Sequence, residues 1–336
     1  MKLTRKIDGY QRRRRWLGFP SAVVLKFFDD KGGYLTALIT HYGFLSLFPL
    51  LLIATTVLGW LLHDHPLLAQ QLIGSALAQF PIIGDQLTDT ARPLRGSAPA
   101  LVTGILVALY GGLGFTTALQ TAFNQIWGVP VDARPDPLFT RLRGLALLAL
   151  LAVWVLLTTG LTALTSAAGT GIPSLGTAFS IVATVASILV NGAVFVLTFR
   201  VLTARPLSNR DVLPGAAAAA LTWQILQTVG AAWVSHELRG MTAAYGLFGV
   251  VLGLLAWIYL QSLVIVLAAE VNVVRIDGLW PRAVLALTTH DDPGILTSAD
   301  RRSYRNYAQT QRYKKYERIE VEIPTRHGED QTPGEA

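Results

Sequence analysis

Glu270 closes a run of thirty residues, 240–269, that contains no Asp, Glu, Lys or Arg. A carboxylate at the C-terminal end of a helix opposes the helix dipole. Beside hydrocarbon it also needs a cation. Arg200 closes an earlier charge-free run, so a structural Glu270–Arg200 ion pair is the expectation, with a proton or ion site at Glu270 as the alternative. The other strongly polar side chains inside these runs are His41, Gln120, Asn124, Asn191, Gln224, Gln227 and Gln261. Asn191, Gln224 and Gln227 fall near the middle of their runs, and the rest fall toward the end that holds Glu270. Such groups either line a path for a polar solute or fasten helices to one another. Gln261 and Glu270 are nine positions apart, about half a turn out of phase on a helix, so a straight helix cannot aim both into one cavity.

Hydrolytic metal chemistry needs clustered carboxylate or imidazole ligands. The six histidines lie at 41, 63, 65, 236, 290 and 327 and gather no such cluster. His63-Asp64-His65 has no further ligand beside it, and residues two apart do not share a helix face. With no cysteine in the chain, thiol chemistry and disulfides are excluded. No metal, no other cofactor and no catalytic residue is expected.

These residues must be positioned by membrane helices. Only 15% of the residues are charged, against about 25% in soluble proteins. Charge-free runs cover 32–63, 96–131, 144–199, 212–236 and 240–269. A hydrocarbon core about 30 Å thick takes about 20 apolar residues as a helix. The run 144–199 holds the turn cluster Gly169-Thr-Gly-Ile-Pro173-Ser-Leu-Gly176 and divides in two. The fold class is therefore all-α and polytopic, with six spans at about 35–62, 98–124, 143–166, 177–203, 212–235 and 243–270.

Placing the N-terminus inside puts 25 of the 28 Lys and Arg residues on that side. Basic residues stay in the cytoplasm, so both termini are expected there. The basic start lacks the pattern of a removable signal peptide. Three regions follow: a basic N-terminus over 1–33 with an interfacial helix, the six-helix domain over 34–275, and a polar cytoplasmic tail over 276–336. Ser21–Asp30 places Val24, Phe27 and Phe28 at helical spacing, as in an amphipathic surface helix. The tail reads as disordered or marginally helical. An outside loop, 63–97, carries Leu68, Leu72, Ala76 and Phe80 at four-residue spacing, a second amphipathic helix.

Within the spans, Pro49 should kink the first helix. Gly104, Ala108 and Gly112 form a small-residue stripe for close packing, as do Gly249 and Gly253. The expected partners are membrane lipids, with anionic headgroups at Arg12, Arg13, Arg14 and Arg15. No nucleic acid is expected, and an oligomer is compatible with the pattern.

Two separated motifs carry a resemblance. Tyr42-x3-Ser46-Leu-Phe-Pro49-Leu-Leu is similar to a signature of the YihY/virulence factor BrkB family of bacterial inner-membrane proteins. So is Tyr245-Gly-Leu-Phe-Gly249 with Trp257-Ile-Tyr259 and Ala269-Glu270-x-Asn272. The resemblance covers about 30–275 and departs at Ala269, where members more often have Gly. It implies six spans with both ends inside, in the inner membrane. Some members have carried the label ribonuclease BN, a chemistry that the residues here do not support. The expected function is transport of a polar or amphipathic solute or lipid. The alternative is a non-transporting scaffold or regulator with basic cytoplasmic ends.

Overall fold

The computed structural model describes residues 15–61, 98–168, 173–283 and 296–323. Every regular element among them is helical. They are α1 (Arg15–Asp29), α2 (Gly32–Leu61), α3 (Ala98–Ile126), α4 (Pro137–Ala168), α5 (Pro173–Leu202), α6 (Asn209–Ile276) and α7 (Ser298–Thr310). A 3₁₀ turn, Val131–Ala133, links α3 to α4.

The long helices pack antiparallel. Gly111 lies against Ser46 and Gly114 against Tyr42, which sets α2 beside α3 in opposite directions. Gly112 meets Leu148 and Gly144 meets Thr116, which does the same for α3 and α4. Gly192 meets Ala220 while Arg200 bonds Asn209, so α5 and the start of α6 also run oppositely. Small residues at these crossings let backbones approach, which is how helices associate where lipid removes the hydrophobic drive.

The α6 helix is assigned over 68 residues. A straight helix would hold residues 215 and 272 about 85 Å apart. Instead, Gly215 N donates to Asn272 Oδ1 at 2.7 Å, and Gly230 lies against the Trp257 ring. The element therefore doubles back into two antiparallel arms. Pro214 explains part of this seam. It has no N–H to give to the carbonyl of Arg210, four residues earlier. Arg275 from the returning arm donates to that carbonyl at 3.1 Å.

The helix ends are written in local chemistry. Both α3 and α6 stop at a left-handed glycine, Gly128 (φ 65°) and Gly278 (φ 61°). In each, the next residue bonds back across the cap, Val129 N to Asn124 O and Leu279 N to Val274 O. That is the standard satisfaction of the last helical carbonyls. Capping boxes start α6 (Ser208 with Asp211) and α7 (Thr297 with Asp300).

Four described segments are apolar and long enough to cross a membrane: 137–154, 181–202, 209–230 and 251–276. Their outer faces expose Leu142, Leu145, Val185, Leu189, Ile225 and Val229, among others. On a soluble protein such a surface would be an aggregation hazard. The interior is built from Phe123, Phe195 and Phe199 with small residues such as Ala122, Ala216, Ala219 and Ala269.

Two expectations gain detail. The first concerns α1, expected to lie on a surface with Val24, Phe27 and Phe28 as its apolar face. The helix forms, with Val24 and Phe28 exposed and Ala22, Val23, Leu25 and Lys26 buried on the other side. In a membrane bundle the apolar side can face outward, and the polar residue can be the one turned in. The second concerns the tail. Residues 298–310 form a short helix that buries Ala299, Asp300 and Ser303, with Asp300 held by Arg282. The expected outer helix over 68–80 and the His63-Asp64-His65 run lie outside the described residues, as do Arg12, Arg13 and Arg14.

Candidate functional site: a buried charge cluster between α1 and α6

Glu270 is completely buried at the end of the returning arm of α6. Lys26, from α1, faces it, with Nζ 3.6 Å from Oε2. The same ammonium donates to the Asp30 carboxylate and, at 3.2 Å, to Ile126 O at the end of α3. Lys26 is 5% exposed and Asp30 3%. The cluster is thus one ammonium between two carboxyls, closed off from solvent by three helices. Neither oxygen of Glu270 accepts a hydrogen bond. Asp30 and Glu270 are thus drawn to the same ammonium from two different helices.

Burial raises the Asp30 carboxyl above its ordinary value, and Lys26 offsets this only in part. Burial works against the Lys26 ammonium too, but Glu270, Asp30 and Asp29 together lift it above the usual lysine value.

A second cluster begins one residue away. Asp29 accepts from Arg282 at 2.6 Å, and Arg282 also donates to Asp300 at 2.9 Å. Asp300 is saturated further by Ala283 N, Thr297 N and Thr297 Oγ1. Arg282 is 3% exposed, so the tail is seated on α1 by a desolvated ion triad. Arg312 with Asp132 and Arg302 with Gly278 O add to the seat.

The Glu270–Arg200 pair does not form. Arg200 curls over the end of α5, donating to Leu207 O at 3.1 Å and Asn209 Oδ1 at 2.7 Å. Glu270 is served by Lys26 instead. Lys26 and Asp30 are the residues that sequence reasoning missed. Their signal was a lysine inside SAVVLKFFDD, an otherwise apolar stretch ending in two acids.

The candidate pathway residues separate. Gln120 Nε2 donates to Thr140 O at 3.0 Å, joining α3 to α4. Asn124 Oδ1 accepts from Ala204 N at 2.8 Å, joining α3 to the α5–α6 connection. Asn191 Oδ1 accepts from Trp154 Nε1 at 2.7 Å, joining α5 to α4. Gln224, Gln227 and Gln261 are half-buried, and His41 is exposed, edge-on to Tyr42. Of the packing glycines, Gly112 touches Leu148, Gly249 is buried and Gly253 half-buried. The side chains of Pro49, Gly104, Ala108 and Arg15 lie outside the described residues. Asn272, from the Ala269-Glu270-x-Asn272 motif, ties the two arms of α6 through Gly215.

The chain is 24% identical over 250 residues to the inner membrane protein YhjD of Escherichia coli (strain K12), covering 70% of this chain and 74% of that protein. It is 26% identical over 270 residues to the ribonuclease-like protein YfkH of Bacillus subtilis (strain 168), covering 76% of this chain and 94% of that one. No solved structure matches it. The family model described as virulence factor BrkB matches residues 23–278, a range that opens just before Lys26 and takes in both arms of α6. This chain is a membrane protein of the BrkB family.

Proposed function

We propose that this protein is a carrier in the bacterial inner membrane that moves a polar or amphipathic solute or lipid. It has six membrane passes, from α2, α3, α4, α5 and the two arms of α6, with both termini in the cytoplasm. The antiparallel packing and the one-sided distribution of Lys and Arg support that topology. The observation that carries the reading is Glu270: fully buried, accepting no hydrogen bond, and opposed by an ammonium from a separate helix. Ionisable groups in membrane helices are costly and mark working sites. A plain fastener does not need one, and this bundle fastens itself elsewhere with amides. Nuclease chemistry, which the name of the Bacillus relative suggests, is left out. The described carboxylates near α1 are taken up by Lys26 and Arg282.

A scaffold is the second reading. It is favoured by the use of Gln120, Asn124 and Asn191 as links between helices rather than as the wall of a path. One experiment separates the two. Native mass spectrometry of the purified protein identifies the lipid or solute it retains, and flux of that compound is then followed in reconstituted vesicles. Movement by the wild type that Glu270→Gln abolishes supports the carrier. A protein that retains nothing and moves nothing is a scaffold.

A further inference from the structure

The cluster around Lys26 does not balance. Two carboxyls, Asp30 and Glu270, share one ammonium, and all three are at least nine-tenths buried. With both carboxyls ionised the site carries one uncompensated negative charge away from water, a state that proteins avoid. Among the described residues, the groups around it do not supply the missing cation. On α1, Asp29 adds another carboxylate, already engaged by Arg282. From α3 the contacts are uncharged: Ile126 O to Lys26, and Gln125 Nε2 to Asp30 O at 2.8 Å. On α2 the buried hydroxyls of Thr36 and Thr40 bond their own helix. On α6, Arg275 bonds Arg210 O, and Asp277 pairs with Arg205 of the preceding connection at 3.8 Å. In the tail, Asp300 is held by Arg282. The Asp30 and Glu270 carboxyls both pair with the Lys26 ammonium, Glu270 at 3.6 Å, yet Glu270 accepts no hydrogen bond among the described residues, and two carboxylates cannot donate to one another. A single proton repairs both faults. It neutralises the excess charge and supplies the missing donor.

We propose that Asp30 and Glu270 hold one proton between them, and that this proton latches α1 onto the end of α6. When the proton leaves, repulsion between two desolvated carboxylates opens the α1–α6 contact. When it returns, the contact closes. The carboxyl that takes the proton gains an O–H, the other accepts it, and the proton comes from water or from a proton gradient. In the carrier proposed above, this would make opening at the α1 end proton-coupled. The latch rests on that reading only for its purpose, so flux and latch can fail separately.

The test uses the full chain in nanodiscs of phosphatidylethanolamine and phosphatidylglycerol. Infrared difference spectra, from mildly acid to mildly alkaline pH, look for the carbonyl stretch of a buried carboxylic acid. In parallel, spin labels report the distance between α1 and α6. They are placed at Phe28→Cys and Leu213→Cys, both exposed positions in a chain with no native cysteine. The expected result is one carboxylic acid band in the wild type near neutral pH. It disappears on alkalinisation together with a lengthening of the label distance. Glu270→Gln and Asp30→Asn each leave one carboxyl with one ammonium, so both lose the band and stay closed across the range. A wild type with no such band near neutral pH overturns the proposal, as does a label distance that ignores pH. The wild-type spectrum decides even if a variant fails to fold.

Discussion

Substituting Gly215 by Ala tests the seam that folds α6 back on itself. A Cβ at this position would overlap Ala268 O and lie 2.6 Å from Asn272 Cγ, where real Cβ atoms stay beyond 3.0 Å. The arms must separate by at least 0.4 Å to clear Asn272 Cγ, from those two distances, and by more to clear Asn272 Nδ2 and the carbonyl. The carbonyl is backbone, and the Asn272 amide is held by its bond from Gly215 N. The same displacement stretches the 2.7 Å bond from Gly215 N to Asn272 Oδ1. Overpacking of this kind costs about 1–3 kcal/mol, and a lost hydrogen bond about 0.5–1.5 kcal/mol. Together they predict a destabilisation of about 2–4 kcal/mol. At about 2–4 °C per kcal/mol for large domains, that lowers the melting temperature by roughly 4–16 °C. The assay is heating in detergent followed by fluorescence-detected size exclusion, at one scan rate because unfolding of such proteins is often irreversible. Gly33→Ala is the control: a Cβ there meets nothing within 4 Å. It should melt within a degree or two of the wild type. A Gly215→Ala protein as stable as that control would refute the close antiparallel arms.

Arg282→Met strands Asp29 and Asp300 without their shared cation. Breaking a buried ion pair costs about 3–5 kcal/mol, so limited proteolysis should cut the tail at 296–323 much faster while the membrane helices stay intact. Trp154→Phe removes the donor to Asn191, and the melting temperature should fall only slightly, since such bonds in membrane bundles average about 0.6 kcal/mol. The pH dependence has a definite sign. Asp30 is raised in the folded protein, so folding binds its proton more tightly than the unfolded chain does, and stability should rise as pH falls through the raised value toward the ordinary 3.8. Lys26 is also raised, so its contribution is complete below 10.5 and is lost above that, as pH passes its folded value. Melting curves across pH check both, and Asp30→Asn should flatten the acid-side rise.

The helices were legible because hydrocarbon forbids charge for about 20 residues at a time. The run 32–63 becomes α2 (Gly32–Leu61) and the run 96–131 contains α3 (Ala98–Ile126). α4 ends at Ala168 and α5 begins at Pro173, so the division falls at the turn cluster 169–176, whose second half is the first turn of α5. The partner of Glu270 was not legible. The apolar spacing of α1 marked Val24, Phe27 and Phe28 as a side turned to the membrane surface, and it did not show what the opposite side packs against. Where the surroundings are themselves apolar, burial follows the polar residue instead, and Lys26 goes in. The search for a cation was then confined to the predicted spans, which left only Arg200. The seat of the tail was hidden for a related reason. Asp300 and Arg282 count as solvated charges in composition, and only the fold shows that they neutralise each other in a dry place.

Asp29 and Asp30 are neighbours in the chain but answer to different masters. The first is gripped by Arg282 and Ser303 of the tail, the second by the lysine inside the bundle. A pull on the C-terminal segment therefore arrives one peptide bond from the membrane domain's hidden charge.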